Sequence, residues 1–440
     1  MLHFLEYLNH TVPSPLFVLL TPNKKEHPMI TNDAITFGML ALILGGVFYT
    51  AGSEHLFWKR FYRFVPAILV CYFVPSLFTT TGLVDGETSQ LYFVASRYLL
   101  PASLVLLALS VDLKGIFNLG PKALTLFLTG TFGIVIGGPI ALFVMSMVMP
   151  QYLGDAGPDA VWRGMTTVAG SWVGGGANQA AMKEIFDVGD TIFSAMVAVD
   201  VLVANILWMP VLLYMAGNAK KIDAKMGADT SAIEALKERV EALQRKHSRM
   251  PSLVDLMVIL AIAFGAVGFS HLVADTLAPW FQTHHPDLNR FSVTSSFFWL
   301  IVTATAIGVG LSFTRARAYD GAGASKVGSV FIFILVATIG MKMDILAIFK
   351  APGLFMLGAI WILIHASLML LVTRLLRAPV FYLAVGSQAN IGGAASAPVV
   401  AAAFHPALAP VGVMLAVLGY VLGTYAAWFC GQVLRVVATL

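Results

Sequence analysis

Charge is what this chain has least of. Asp, Glu, Lys and Arg make up 11% of its 440 residues, against about 25% in an average soluble domain. With 58% of residues hydrophobic and a mean hydropathy of +0.83, a soluble globular fold is excluded. Cysteine is nearly missing too. Cys71 and Cys430 both lie inside apolar runs, which excludes a disulfide framework and a thiolate metal site. There is no Walker loop, catalytic triad or His/Cys cluster, so ATP drive and hydrolysis have no support and the chain is read as no enzyme. Nothing calls for a cofactor beyond Na⁺ or H⁺ as a coupling ion. The pI near 8.9 needs no nucleic acid, because cytoplasmic loops of membrane proteins carry excess Lys and Arg. The apolar runs are continuous rather than alternating, which excludes a membrane β-barrel.

What is present is a series of apolar runs of about 20 residues, the length that crosses a hydrocarbon core about 30 Å thick. The partner is therefore a lipid bilayer, and the fold class is an all-α polytopic membrane protein. The runs fall at 33–52, 64–82, 91–111, 123–149, 191–216, 253–273, 293–314, 327–345, 353–376 and 408–434, which predicts ten transmembrane helices. Two more stretches, 162–187 and 380–405, are only half apolar and rich in Gly, Ala, Ser, Asn and Gln. Segment 1–32 lacks the basic start and cleavage site of a signal peptide and reads as an extracytoplasmic, interfacial arm. A polar linker, 217–252, separates a first half, 33–216, from a second, 253–440. Within it Ser231 and Glu234 form a capping box before Ile233, Leu236, Val240 and Leu243, which predicts a short amphipathic helix.

Charge fixes the expected topology. If 162–187 and 380–405 are re-entrant hairpins, each half has five crossings and the halves are inverted. With both termini outside and the linker cytoplasmic, most of the 27 Lys and Arg fall inside, among them Lys59, Arg60, Arg63, the linker cluster, Arg315 and Arg317. An internal repeat agrees with this: Asp112-Leu-Lys-Gly-Ile-Phe117 is echoed by Asp344-Ile-Leu-Ala-Ile-Phe349, and Trp172–Asn178 by Asn390–Ser396. Two inverted five-helix repeats, each with a Gly-rich re-entrant hairpin, are a transporter architecture with its site near the midplane.

The hairpins read Gly170-Ser-Trp-Val-Gly-Gly-Gly-Ala-Asn-Gln179 and Gly386-Ser-Gln-Ala-Asn-Ile-Gly-Gly-Ala-Ala-Ser396. Broken backbone at membrane depth frees N–H groups for a carboxylate and carbonyls for a cation. The candidate substrate-binding residues are therefore Ser171, Gly174, Gly175, Gly176, Asn178, Gln179, Ser387, Gln388, Asn390, Gly392, Gly393 and Ser396. Asp200, nine residues beyond Thr191, sits roughly 13–14 Å into its span. An intramembrane carboxylate marks an ion or proton path, so Asp200 is the candidate coupling residue, with Asn205 loosely on its flank; the matching place in the second half carries Leu418, with the candidate Thr424 and Tyr425 nearby, so coupling would be asymmetric. His365 is a weaker candidate. Asp112 and Asp344 read as caps, Arg97 as snorkelling, and Lys183 as steering an anion or anchoring its helix end.

With Trp172-Val-Gly-Gly-Gly-Ala-Asn-Gln-Ala-Ala-Met-Lys-Glu184 and Ser387-Gln-Ala-Asn-Ile-Gly-Gly-Ala-Ala-Ser-Ala-Pro398, the chain resembles the bacterial membrane family catalogued as domain of unknown function 819, over nearly all of 30–440. Its layout is more distantly similar to the sodium/glutamate symporters and the 2-hydroxycarboxylate transporters. The resemblance implies a homodimeric, cation-coupled carrier working by elevator movement in the bacterial inner membrane. The expected function is secondary active transport of a small carboxylate, amino acid or short peptide, including one derived from the cell wall, coupled to Na⁺ or H⁺. The alternative is a passive channel lined by the same hairpins. A membrane enzyme or receptor is disfavoured, because the spans lack paired catalytic groups and the linker is too short for an output domain.

Overall fold

The computed structural model describes residues 30–440 apart from 66, 85–88, 112, 153–156, 231, 232, 234–249, 342–351, 406, 407 and 440. The expected linker helix, the caps Asp112 and Asp344, and all but the end of the N-terminal arm lie outside the described residues. Among those described, the fold is helical, with one isolated bridge between Ile30 and Val84. The chain divides into two compact units, Met1–Phe93 with Val336–Ile345, and Val94–Leu335 with Leu346–Leu440.

In the first unit α1 spans Asp33–Ala51, α2 Leu56–Phe64 and α3 Ala67–Thr80. Asn32 starts α1, its side-chain oxygen accepting from the Ala34 N–H at 2.8 Å, as an N-cap should. Leu40, Val84, Ala337 and Met341 form this unit's buried core. The Thr79 hydroxyl donates to the Met341 carbonyl at 2.6 Å.

The remaining α-helices of eight residues or more among the described residues are, in chain order, α4 Leu91–Leu109, α5 Pro121–Val148, α6 Val161–Ile185, α7 Asp190–Gly217, α8 Ala219–Met226, α9 Leu253–His284, α10 Ser296–Ser312, α11 Ala324–Gly340, α12 Pro352–Leu375, α13 Val380–Ile391, α14 Gly393–Phe404 and α15 Ala409–Val437. A full capping box at Ser252 and Asp255 opens α9, and Ser295 accepts from the Phe298 N–H to open α10. One core of this unit joins Ala102, Leu106 and Leu109 of α4 to Ile259, Ala263 and Val267 of α9 and Ala324 of α11. Large apolar side chains such as Leu253, Val254, Phe269, Leu272, Leu363 and Leu371 point outward and exposed. That arrangement is stable against hydrocarbon and unfavourable against water.

Among the described residues seven helices are long and apolar enough to cross a bilayer: α1, α4, α5, α7, α9, α12 and α15; counting the bent pair at α2–α3 and the bent end of α10 gives nine. The described residues do not confirm the ten expected. The run at 64–82 is shortened because its start bends by 89° into α2. The run at 293–314 yields only 17 helical residues, between the Ser295 cap and a 96° bend, and α11 is also 17 residues long. Conversely, α9 extends past the expected 273 to His284, carrying Asp275 and Pro279 within it.

Candidate functional site

Both Gly-rich stretches fold as helical hairpins. In α6 the helix breaks at Gly174 (φ −141°, ψ 15°) and Gly175 (φ 70°, ψ −174°). The chain then doubles back, so that a Cβ placed on Gly170 would lie 2.5 Å from the Asn178 carbonyl oxygen. The open end is tied by the Arg163 guanidinium, which donates to the Phe186 and Asp187 carbonyls, and by the Gly189 N–H donating to Pro158 O at 2.9 Å. The second hairpin breaks between α13 and α14 at Gly392 (φ −104°, ψ −4°) and Gly393 (φ 58°). Its limbs are joined by Gln388 Nε2 donating to Ser396 Oγ at 2.7 Å near the tip and by the Phe381 and Phe404 rings, 5.4 Å apart, at the open end. Gly174 pairs with Gly392 and Gly175 with Gly393 at one and the same chain offset. A 12-residue limb such as α13 is about 18 Å long, short of the ~30 Å core. Such a limb is too short to cross a bilayer by itself.

The two tips meet on α15. A Cβ on Gly175 would lie 3.1 Å from Tyr420 Cε1, and one on Gly393 3.8 Å from the Tyr420 hydroxyl. That hydroxyl is hydrogen-bonded to the backbone of Ala394. Gly423 of α15 brings its Cα against Gly174, where a Cβ would come within 2.6 Å, so only glycine permits the approach. The tip residues Gly175, Gly176, Gly392 and Ser396 are half-buried, whereas Ser171, Gly174, Asn178, Gln179, Ser387, Gln388 and Asn390 are buried.

Asp200 of α7 is the carboxylate at the first hairpin. Its Oδ2 accepts from Ser171 Oγ at 2.7 Å and Gln179 Nε2 at 3.0 Å, and its Oδ1 from Trp172 Nε1 at 2.7 Å. Ser171 and Trp172 lie on one limb and Gln179 on the other, so one carboxylate pins both limbs. Trp172 also packs on Trp361 of α12, ring centroids 5.0 Å apart. The motif quoted for the hairpin contained Trp172, yet its role was missed; the signal was there, since an indole N–H at membrane depth needs an acceptor.

Two asparagines make the same local construction on opposite hairpins. Asn178 Nδ2 donates to Gly174 O and Tyr420 O, and its oxygen accepts from Thr424 Oγ1 at 2.6 Å. Asn390 Nδ2 donates to Gly386 O and to Phe127 O on α5, and its oxygen accepts from Thr131 Oγ1 at 2.7 Å. Each asparagine thus reaches a carbonyl four residues back in its own limb, then a carbonyl and the threonine four residues further on in a neighbouring long helix.

The coupling residues named from sequence do not form one cluster. Thr424 binds Asn178 and approaches Thr305 Oγ1 at 3.3 Å. Asn205 turns back onto the Val201 carbonyl at 3.0 Å, inside a π-helical stretch, Leu202–Trp208. Asp200 instead gathers hairpin residues that the sequence reading assigned to substrate. Lys183 is buried and ion-paired with Asp190 at 2.8 Å, and Arg97 is paired with Glu184 at 3.0 Å, so both charges are held by partners.

At the second hairpin, Ser387 Oγ stands between His365 Nε2 (2.8 Å) and Trp208 Nε1 (2.8 Å), while His365 Nδ1 faces the Gly130 carbonyl at 3.1 Å. A carbonyl only accepts, so Nδ1 carries the proton. Trp208 only donates, so Ser387 accepts from it and passes its own hydrogen to Nε2. Outside the spans, Asp223 of α8 accepts the Val380 N–H at 2.8 Å and so caps the start of α13. Burial pushes the Asp223 carboxyl up from the usual range, opposed by that hydrogen bond.

The comparisons with known proteins agree with this membrane fold. A family profile described as protein of unknown function (DUF819) matches residues 35–437. The "Uncharacterized membrane protein YjcL" of Bacillus subtilis (strain 168) is 26% identical over 365 residues, covering 81% of this chain and 86% of the relative.

Proposed function

The chain belongs to the DUF819 family and is a polytopic membrane protein, and from that premise we propose that it is a cation-coupled secondary transporter of a small polar solute. The observation that carries this reading is the meeting of two broken-helix hairpins at Tyr420, with buried Asp200 holding the limbs of one of them. Breaks in a helix leave backbone donors and acceptors outside its hydrogen-bond ladder, and the limbs supply neutral amides and hydroxyls. Those groups suit a carboxylate-bearing solute in hydrocarbon surroundings, where each polar group needs a partner.

In this reading the two hairpins belong to inverted repeats within ten crossings, with the basic linker in the cytoplasm, both termini outside and the site near the midplane of the inner membrane. Na⁺ or H⁺ acts at Asp200, and a homodimer moves its hairpin-bearing helices by an elevator step. Tyr420, in contact with both tips, favours a carrier over the channel alternative, which would need an open path between them. The test is uptake by the purified full-length protein in liposomes with imposed Na⁺ or proton gradients. A carrier accumulates solute against its gradient only with the coupling cation and shows counterflow. Passive equilibration without counterflow, indifferent to the cation, would overturn the reading in favour of a channel.

A further inference from the structure

Among the described residues, the buried side-chain oxygen and nitrogen atoms without a hydrogen-bond partner are Oε1 of Gln388 and Oδ1 of Asp320. The first lies at the break of the second hairpin. Gln388 is fully buried, and its Nε2 is committed to Ser396 Oγ across the break. Its amide lies against the break glycine, where a Cβ on Gly392 would come 2.2 Å from Nε2. Gly392 and Ser396 on either side of it are half-buried, so the amide stands directly behind accessible tip residues. Neighbouring polar side chains are otherwise satisfied: Ser387 by His365 and Trp208, and Asn390 by Thr131, Phe127 and Gly386. An amide oxygen can only accept, and leaving it unpaired away from water is unfavourable.

We infer that Gln388 Oε1 receives an N–H donor of the transported solute, which makes that solute an amino acid or short peptide rather than a carboxylate without a donor. This rests on the carrier reading above and narrows its substrate class. The contribution of the glycine at 392 is space: it lets the amide lie at the break, where a side chain would displace it. The solute's carboxylate is left to the tip backbone N–H groups, and its N–H to Gln388. Asp200 is the less available acceptor, because its oxygens already take three donors from the first hairpin, whereas Gln388 Oε1 takes none.

The experiment loads proteoliposomes of the full-length protein from an external mixture and reads the lumen by mass spectrometry. The mixture holds the twenty amino acids, a dipeptide set, succinate, fumarate and 2-oxoglutarate, a bacterial metabolite extract and a peptidoglycan digest. The wild type is expected to accumulate N–H-bearing solutes. Gln388→Met, matched for reconstituted protein and gel-filtration profile, should slow them roughly 10-fold or more, the factor that goes with one lost hydrogen bond. Gln388→Glu keeps an acceptor at that place and should retain ammonium-bearing solutes, which a merely structural role would not produce. Accumulation of succinate, fumarate or 2-oxoglutarate in preference to amino compounds overturns the inference and leaves the carrier reading standing. So does an unchanged rate in Gln388→Met. A wild type that accumulates nothing under either cation gradient overturns the carrier reading and this inference together.

Discussion

Trp172→Phe isolates one bond to Asp200. Trp172 donates to Oδ1, whereas Oδ2 accepts from Ser171 and Gln179. A hydrogen bond to a charged group contributes about 1.5–3 kcal/mol. Removing the indole N–H while keeping a ring should therefore destabilise the protein by about 2–3 kcal/mol, and Ser171→Ala, which leaves Gln179 on Oδ2, by about 1–2 kcal/mol. The smaller Phe ring also weakens the packing on Trp361, so the single mutant alone is not decisive. A double-mutant cycle with Asp200→Leu separates the two effects, because the packing loss appears on both sides and cancels. Unfolding of the full-length protein in mixed micelles, titrated with sodium dodecyl sulfate and followed by circular dichroism, gives the four free energies. A coupling of about 1–3 kcal/mol between positions 172 and 200 is expected. Coupling below about 0.3 kcal/mol, within the error of additive distant sites, would refute the view that the carboxylate clamps the first hairpin.

Gly175 lies at φ 70° and ψ −174°, a region held almost solely by glycine. Gly175→Ala should destabilise by about 1–3 kcal/mol and also press on Tyr420, so it is expected to melt lower than Gly393→Ala in the same thermal scan. Thr424→Val leaves the buried Asn178 oxygen without its donor and should lower stability by about 1–3 kcal/mol. With coupling at Asp200, uptake by this variant should keep its cation dependence, and loss of that dependence would restore Thr424 to the coupling set. Asp223 is an acid whose carboxyl is raised in the fold. The folded state therefore holds a proton that the unfolded chain has released, and stability declines as pH rises from the usual Asp range through the raised value. Asp223→Asn should flatten that slope in melting curves taken across mildly acidic pH while keeping the acceptor for Val380.

Composition made the membrane class legible, since no arrangement of 58% hydrophobic residues with 11% charge is stable as a small soluble domain. The hairpins were legible because glycines clustered in otherwise apolar runs mark places where a helix cannot continue, and the breaks fall on the glycines of the two motifs. The partners were less so. Hydropathy says nothing of azimuth around a helix, so the donors to Asp200 read from sequence as substrate ligands. Thr424 lies near the place that matches Asp200, and it faces Asn178. Thr131 and Tyr420 carried no signal of their own, because single hydroxyls on apolar helices acquire meaning only when the facing helix is known. Span length failed for another reason: bends at the ends of α2 and α10 depend on local caps that a hydropathy window averages away.

The ties to the hairpins converge on few helices, and that bears on how coupling is transmitted. Helix α7 holds the first hairpin through Asp200 and the second through Trp208, and the π-helical stretch Leu202–Trp208 separates the two contacts. A π turn carries more residues per turn than an α turn, so it sets the angle between Asp200 and Trp208 around the helix. Closing it to regular α geometry would rotate one contact relative to the other, and one of the two hairpins would lose its hold. In the carrier we propose, a cation or proton at Asp200 would compete with Ser171, Trp172 and Gln179 for the same oxygens. It would therefore act on the first hairpin directly and on the second only through α7 and the shared wedge Tyr420. The hairpins are thus alike in backbone and unequal in chemistry: one is pinned by a carboxylate, the other by an imidazole and an indole. In a carrier built this way, coupling enters through the first hairpin and solute selection falls to the second, at Gln388.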